Sequence, residues 1–526
     1  MIRKLLLLAG LLPWAPTFIQ AQSLDVSFNT TGYYQTLGGW QHSGSAAQVL
    51  VQPDGKIVTV GMALDGNYTV LPEVVRMLPG GTPDPSFGVN GHGWLTGFTF
   101  LINPLDACLQ TDGKIVVTGM AQPGTESQGF IARFLSNGIP DLSFSQDGIE
   151  FYAPEIANVF FKRLIIQPDG KYVVGGMITD SYHATNLIAR FLPDGTPDST
   201  FGITQPGFTY GNYLTEFSGM YDMAMQSDGK ILLTGDHYSG TGVNSVLVER
   251  YTGNGNVDSS FGVNGSANHF VSSNSDNMGQ AIVVNSDGDI YVSGYVVNFP
   301  PGLGFGVGDG IYLRLDSIGN LNPAFAGVGY TTISMGGMTD VPVRLLQQPD
   351  GKLISVGYTD DHPYTGGWYA PDFDYGLCRI NPDGSLDSAF GNNGVFIQAF
   401  SVGNDLPKGM ALQADGKILV AGENSLSIYT QLSVARFGFN SATGLQEDLN
   451  AGTMVVYPNP ADNIVRIALK DNEVPSRVVV MDQAGKCVLE QHHCAAVNVS
   501  SLNDGAYLLQ VFSEGSSSVR KLMIVH

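Results

Sequence analysis

One ten-residue phrase recurs seven times along this chain. It reads QPDGKIVTVG from Gln52, QTDGKIVVTG from Gln110, QPDGKYVVGG from Gln167 and QSDGKILLTG from Gln226. NSDGDIYVSG follows from Asn285, QPDGKLISVG from Gln348 and QADGKILVAG from Gln413, so the spacings are 58, 57, 59, 59, 63 and 65 residues. A steady period of this length means one supersecondary unit repeated, with loop insertions in the longer late units. The phrase dictates its own local shape. Pro presets φ at the first turn position, Asp accepts backbone amide hydrogen bonds, and Gly supplies the positive φ that re-enters a strand. That is a type I turn with a bulge, set between two strands. The flanks AAQVLVQ and KIVTVGMAL are apolar at nearly every position and rich in β-branched residues, as strands buried on both faces are.

An Asp-Gly turn also suggests calcium, but a calcium loop needs oxygens at alternate positions and a terminal bidentate carboxylate. QPDGKI has one carboxylate followed by a lysine. The phrase therefore reads as architecture, with no metal and no cofactor implied.

A second motif follows each first one. RMLPGGTPDPSFGVNG (76–91) is matched by RFLSNGIPDLSFSQDG, RFLPDGTPDSTFG, RYTGNGNVDSSFGVNG, RLDSIGNLNPAFAGVG and RINPDGSLDSAFGNNG. Each unit then holds four strands: two flanking the Asp-Gly turn, a third ending near the Arg, and a fourth after the Phe-Gly segment. Seven such antiparallel units predict an all-β chain built on a seven-bladed β-propeller. The seventh unit has its Arg, in VARFGFNSATG, but lacks the Asp-x-x-Phe segment, which stands instead near the start as LDVSFNTTGYYQT (24–36). The N-terminal strand is thus expected to complete the last blade, with residues 33–37 beside the strand near Gln431–Phe437. A closed ring leaves no exposed sheet edge between first and last blade.

The repeated charges suggest a contact. Arg76, Arg133, Arg190, Arg250 and Arg379 each precede a motif aspartate by eight residues: Asp84, Asp141, Asp198, Asp258 and Asp387. In the fifth unit the pair is Arg314 with Asn322, and in the seventh Arg436 is expected to meet Asp25 across the closure. The alternative is an aspartate that caps its own turn while the arginine lies on the surface.

The remaining features bound the setting. Only 14% of the 526 residues are charged, and 25 basic against 47 acidic residues give a formal charge of −22. Nucleic acid is a poor partner for such a chain, because phosphate binding needs clustered Lys and Arg. Arg3 and Lys4, the apolar run LLLLAGLL and the small Ala21 read as a secretory signal peptide over residues 1–21. No later run approaches the roughly 20 apolar residues of a membrane span, so the mature chain is expected to be exported without a transmembrane segment. Of four cysteines, Cys108 and Cys378 fall in apolar strand contexts, while Cys487 and Cys494 are near enough in sequence to bridge.

Over residues 24–440 the paired motifs QPDGKI..VG and R...PDG..D.SFG..G resemble the delta-60 repeat of bacterial exported proteins. The fifth unit departs from that pattern with Asn285, Asp289 and Asn322. The resemblance implies a repeat architecture and no shared reaction. Beyond the propeller (22–440) and a linker (441–452), residues 453–526 read as alternating strands divided by Pro-Asn, Ala-Gly and Gly-Ser turns, an immunoglobulin-like β-sandwich. Tyr457–Pro460, Gly485–Lys486 and the GAYLLQV…KLMIVH ending resemble the type A sorting domain of the type IX secretion system. That resemblance implies the type IX machinery as a partner, with release or attachment to the outer cell surface.

No nucleophile elbow, HExxH, P-loop or paired CxxC is present. The chemically densest segment is YTDDHPYTGGWYAPDFDYG (358–376), in which Asp360, Asp361, Asp372 and Asp374 interleave with Tyr364, Trp368 and Tyr369. Aromatic faces beside carboxylates suit stacking on sugar rings or peptides. The segment and the glycine-rich 298–310 are expected to rise side by side on the face opposite the PDGK turns. The expected function is a secreted or surface-attached module that binds a polysaccharide or extracellular protein. The alternative is a carbohydrate-active enzyme, glycosidase or lyase, using carboxylates of that loop face.

Overall fold

The computed structural model describes residues 21–36, 44–65, 67, 69–152, 158–179, 183–204, 206–210, 217–238, 240, 242–298, 307–360, 372–401, 403–426, 429–440, 454–457, 463–469, 474–481, 487–503, 505–513 and 516–524. Residues 1–20 of the expected signal peptide and the expected linker lie outside them, while Ala21 opens the first described strand. Every regular element among the described residues is a β-strand. The chain divides into two compact units, one spanning Ile19–Asn440 and the other containing Ser441–His526.

The larger unit is a propeller-like series of four-strand antiparallel sets. In the first, Gly44–Val51, Ile57–Leu64, Val70–Met77 and His92–Trp94 pair in chain order. Each later motif copy falls in an equivalent set. The third and fourth sets share one sheet through the single parallel pair Ala184↔Phe217. The set holding the last copy comprises Asp405–Leu412, Ile418–Leu426 and Tyr429–Asn440. Its fourth position is taken by the N-terminal segment: Ala21–Leu24 runs beside Phe437–Asn440, and Tyr33–Thr36 pairs with Leu432–Ala435.

The turn has the expected bonding. Gly55 N–H donates to Gln52 O at 2.9 Å, closing the type I turn, and Gln52 N–H donates to Lys56 O at 2.8 Å across the bulge. Gly55 holds φ at 81°, a conformation costly for any residue with a Cβ. The following strand, Ile57–Leu64, is buried along its first five residues without alternation, as a strand covered on both faces should be.

Adjacent sets lock through the second motif. Phe87 is fully buried and packs where a Cβ on Gly138 of the next set would stand, and Phe144 and Gly195 repeat the arrangement. Phe28, from the N-terminal segment, occupies the same place against Gly81 of the first set. A backbone bond accompanies each contact: Gly88 N–H donates to Asn137 O at 2.7 Å, Ser145 to Asp194 O at 2.8 Å, and Asn29 to Gly80 O at 2.6 Å.

The smaller unit has two sheets. Met454–Tyr457, Ile464–Leu469 and Ala496–Asn498 form one. Cys487–His492, Arg477–Met481, Gly505–Ser513 and Ser516–Ile524 form the other, paired in that order. Val465, Ile467 and Val497 of the first interdigitate with Val478, Val480, Leu509 and Leu522 of the second, a sandwich core. Cys108, Cys378 and Cys494 are free thiols, and the Cys487 side chain lies outside the described residues.

Candidate functional site

The motif arginines and aspartates are brought together in six sets. The Arg Nε to Asp Oδ2 distance is 2.9 Å for Arg76–Asp84, 2.8 Å for Arg133–Asp141, Arg190–Asp198 and Arg250–Asp258, 2.7 Å for Arg379–Asp387 and 2.9 Å for Arg436–Asp25. The same carboxylates also cap their own turns. Asp84 Oδ1 accepts from Ser86 N–H at 3.0 Å and from Ser86 Oγ at 2.7 Å. The two readings of the motif are therefore two oxygens of one group.

A third partner was missed by sequence reasoning. The lysine of the PDGK turn reaches the same Oδ2: Lys56 to Asp84 at 3.3 Å, Lys171 to Asp198 at 3.1 Å, Lys352 to Asp387 at 2.7 Å and Lys417 to Asp25 at 3.1 Å. Burial pushes these carboxyls up, but hydrogen bonds and the two cations outweigh it. Asp25 and Asp84 are held down at about 2, and Asp387 lies below the ordinary carboxylate range. Arg76, Arg133, Arg190, Arg250 and Arg436 also cross to the next set, as Arg76 Nη1 to Ser136 O at 2.8 Å and Arg436 Nη1 to Pro79 O at 2.7 Å.

The fifth set exchanges the partners. Asn322 stands at the motif aspartate position and Asp289 at the lysine position. Arg314 Nη2 accordingly pairs with Asp289 Oδ2 at 2.7 Å. The carboxylate has moved from one strand connection to the other, and the arginine still finds it.

The chemistry that differs between sets lies elsewhere. The first strand of every set carries a register shift at one place, between Ala46/Gln48, Pro104/Asp106, Phe161/Arg163, Met220/Asp222, Gly279/Ala281, Pro342/Arg344 and Pro407/Gly409. A β-bulge leaves one residue unpaired and re-aims its side chain. The unpaired residues are Ala47, Leu105, Lys162, Tyr221, Gln280, Val343 and Lys408, and all seven line one cavity of about 280 Å³. Opposite each bulge stands the glycine that ends the repeated phrase. A Cβ on Gly61 would strike the Ser45 carbonyl, and one on Gly357 the Val341 carbonyl. A glycine recurring in mid-strand is the sequence signal of a bulge or close backbone approach, and it was legible here.

The residues after the bulges tie the first strands together. Asp106 accepts from Gln48 Nε2 at 2.8 Å and from Leu164 N–H at 2.9 Å. Asp222 accepts from Arg163 Nε at 2.6 Å and from Ile282 N–H at 2.9 Å.

The cavity is cationic although the chain is acidic. Lys162, Arg163, Arg344 and Lys408 line it. Arg163 is paired with Asp222, and Lys408 Nζ with Glu423 Oε2 at 2.8 Å. Lys162 Nζ lies 4.5 Å from the Tyr221 ring centroid. Burial, then the neighbouring Arg163 charge, pushes the Lys162 ammonium down to about 8 and the Arg344 guanidinium to about 10. Asp236, beside Tyr221, is raised by burial, against the Tyr221 hydroxyl and the Lys162 charge.

Of the predicted loop carboxylates, Asp360 is buried at the end of Leu353–Asp360, where its N–H donates to Thr339 O at 3.1 Å. Asp374 is buried within Phe373–Ile380, paired with Thr359, and Asp372 precedes that strand. None of the three lines the cavity. Asp361, Tyr364, Trp368 and Tyr369 lie outside the described residues, as does most of 298–310. Among the described residues no cluster of three or more His, Cys, Asp or Glu could hold a metal ion.

Comparison with known families gives two matches. A domain of unknown function (DUF5122) described as a β-propeller matches residues 52–87, 110–144, 167–201, 226–261, 348–390 and 413–438, leaving out the exchanged fifth set. A secretion system C-terminal sorting domain matches residues 455–525. A search of curated proteins returns no match. Similar solved structures include a Dyadobacter fermentans protein of unknown function (13% identity, 78% of this chain, 99% of that chain, TM-score 0.39). A polysaccharide lyase matches at 10% identity over 80% of this chain and 96% of its own, TM-score 0.43. An α-L-arabinofuranosidase of Fusarium graminearum matches at 10% identity over 63% and 91%, TM-score 0.38. The sorting domain marks the chain for export by the type IX machinery, and for secretion or attachment to the cell surface.

Proposed function

We propose that the chain is an exported binding protein: a seven-bladed β-propeller, closed by its N-terminal strand, that holds a polysaccharide or protein partner at the mouth of its axial channel. Closure is supported by Tyr33–Thr36 beside Leu432–Ala435, by Arg436 on Asp25 and by Phe28 against Gly81. One observation carries the binding site. Seven equivalent bulges aim seven side chains into a common cavity, and those side chains are not the repeat. Where the scaffold needs a residue, this sequence repeats it; at the bulges it places Ala, Leu, Lys, Tyr, Gln, Val and Lys. The aromatic and acidic insertion 358–376, through Trp368, Tyr364 and Tyr369, is a second contact for the same ligand.

The test is a panel of polysaccharides and extracellular matrix proteins applied to the mature chain, with product analysis. Saturable binding without products supports the module; a failure to bind any member overturns it. A second reading, an enzyme cleaving a polysaccharide, is favoured by Lys162 and Asp236, whose proton affinities are pushed toward each other beside Tyr221. Such pairs suit general acid and base work. New reducing ends or unsaturated sugars in the product analysis would establish it.

A further inference from the structure

Resting on that reading, we infer that the channel cavity is a receptor for the acidic group of a glycan, a sugar carboxylate or sulfate held between Lys162 and Arg344. Both cations line the cavity. Among the described residues no carboxylate lies within 4.0 Å of the Lys162 ammonium or the Arg344 guanidinium. Their cationic neighbours Arg163 and Lys408 already have acids of their own. The only hydrogen bond from the Arg344 guanidinium among the described residues is a 3.3 Å contact from Nη1 to the adjacent Val343 carbonyl.

Two positive charges without a directly paired carboxylate in a confined cleft are costly, and Arg163 adds a like charge to Arg344 against the attraction of Asp222 and Asp106. An anion entering the cleft removes that cost, and low-dielectric walls strengthen its attraction to both cations. The chain as a whole carries −22, so this concentration of cations runs against its general field. A bound anionic group must therefore reach the cleft itself to be attracted.

The surroundings favour a sugar over an acidic peptide. Tyr221 adds an aromatic wall to the cavity, with the Lys162 ammonium over its ring, so that a sugar's apolar C–H surface has a partner next to the cation. Asp236, behind Tyr221 and outside the cavity lining, is bonded to the Tyr221 side chain and attracts the Lys162 charge. Gln280, aimed into the same cavity, supplies both donor and acceptor.

The test uses the mature full-length chain with four probes: an oligogalacturonate, a sulfated galactan oligosaccharide, a neutral cello-oligosaccharide and a poly-glutamate peptide. One or both acidic saccharides should bind at least tenfold more tightly than the neutral one, and raised salt should weaken them. Lys162→Gln and Arg344→Gln should each weaken that binding at least tenfold. Lys162→Gln breaks no ion pair and gives up only the contact with the Tyr221 ring, so its unfolding midpoint should fall by no more than a few degrees and keep the result interpretable. Uronate binding without sulfate binding, or the reverse, identifies the group. Equal binding of neutral and acidic saccharides, a preference for poly-glutamate, or indifference to both substitutions overturns the inference. Those outcomes leave the binding module standing, whereas failure of the whole polysaccharide and protein panel removes the module itself.

Discussion

Arg436 Nε donates to Asp25 Oδ2 at 2.9 Å, joining residues 411 positions apart in the sequence. The same geometry joins Arg76 to Asp84 across eight residues. The long-range pair reproduces the local one because the N-terminal segment supplies the turn the last set lacks. Asp25→Asn should therefore destabilise the larger unit by about 1.5–3 kcal/mol, the scale of a charge-assisted hydrogen bond. Phe28→Ala, which empties a fully buried site, should cost about 3–5 kcal/mol. Urea unfolding of the mature chain checks both; changes within about 0.5 kcal/mol, as at ordinary surface positions, would contradict the closure.

The aspartates of this motif also set an acid limit. Their carboxyls are depressed in the fold, so the unfolded chain binds protons that the folded chain does not. The stability they contribute is fully present above the ordinary aspartate value of roughly 3.9 and is lost as pH falls toward the folded value of about 2 for Asp25 and Asp84. The thermal midpoint should drop steeply between those limits. A midpoint unchanged across that window would contradict the depressed carboxyls.

The exchanged fifth set offers a double-mutant cycle. Asp289→Lys alone places a second cation beside Arg314 and removes its acid, and should cost roughly 1–3 kcal/mol. Asn322→Asp added to it rebuilds the arrangement of the other sets and should recover most of that loss. A coupling energy below about 0.5 kcal/mol, as expected of independent sites, would show the exchange to be unconnected.

Much of this scaffold was legible in advance, and the reason is periodicity. Arg76 and Asp84 sit close in sequence and recur, so their contact could be read from spacing. Lys56 is far from Asp84 in sequence, and its role emerges only when the two turns meet in space. The cavity was not legible from residue type, because Lys162, Tyr221 and Arg344 belong to no fixed motif of the repeat and look like ordinary strand residues. Only Gly61 and its equivalents carried a signal, marking the bulges without saying what they aim. The insertion at 358–376 drew attention by its density of aromatics. Its flanking Asp360 and Asp374 prove to be buried strand residues.

The Lys162 ammonium, depressed to about 8, should be substantially neutral in mildly alkaline buffer. At pH 8 an amine acylating reagent should label Lys162 ahead of Lys56, Lys114 and Lys171, which are held in ion pairs. Peptide mass mapping over time reads the order. Labelling of Lys162 at or below the rate of the motif lysines would contradict the lowered value.

Whether a ligand sits in the cavity at the bulges is decided most directly by blocking it. Gln280 points into the cavity from its bulge, and Gln280→Trp fills that space while leaving every cation and carboxylate in place. With a saccharide or protein selected from the panel, calorimetric titration of the mature chain should show affinity reduced at least tenfold, with the unfolding midpoint unchanged. Affinity equal to wild type in Gln280→Trp, lost instead in Trp368→Ala, would contradict the account and move the site to the insertion.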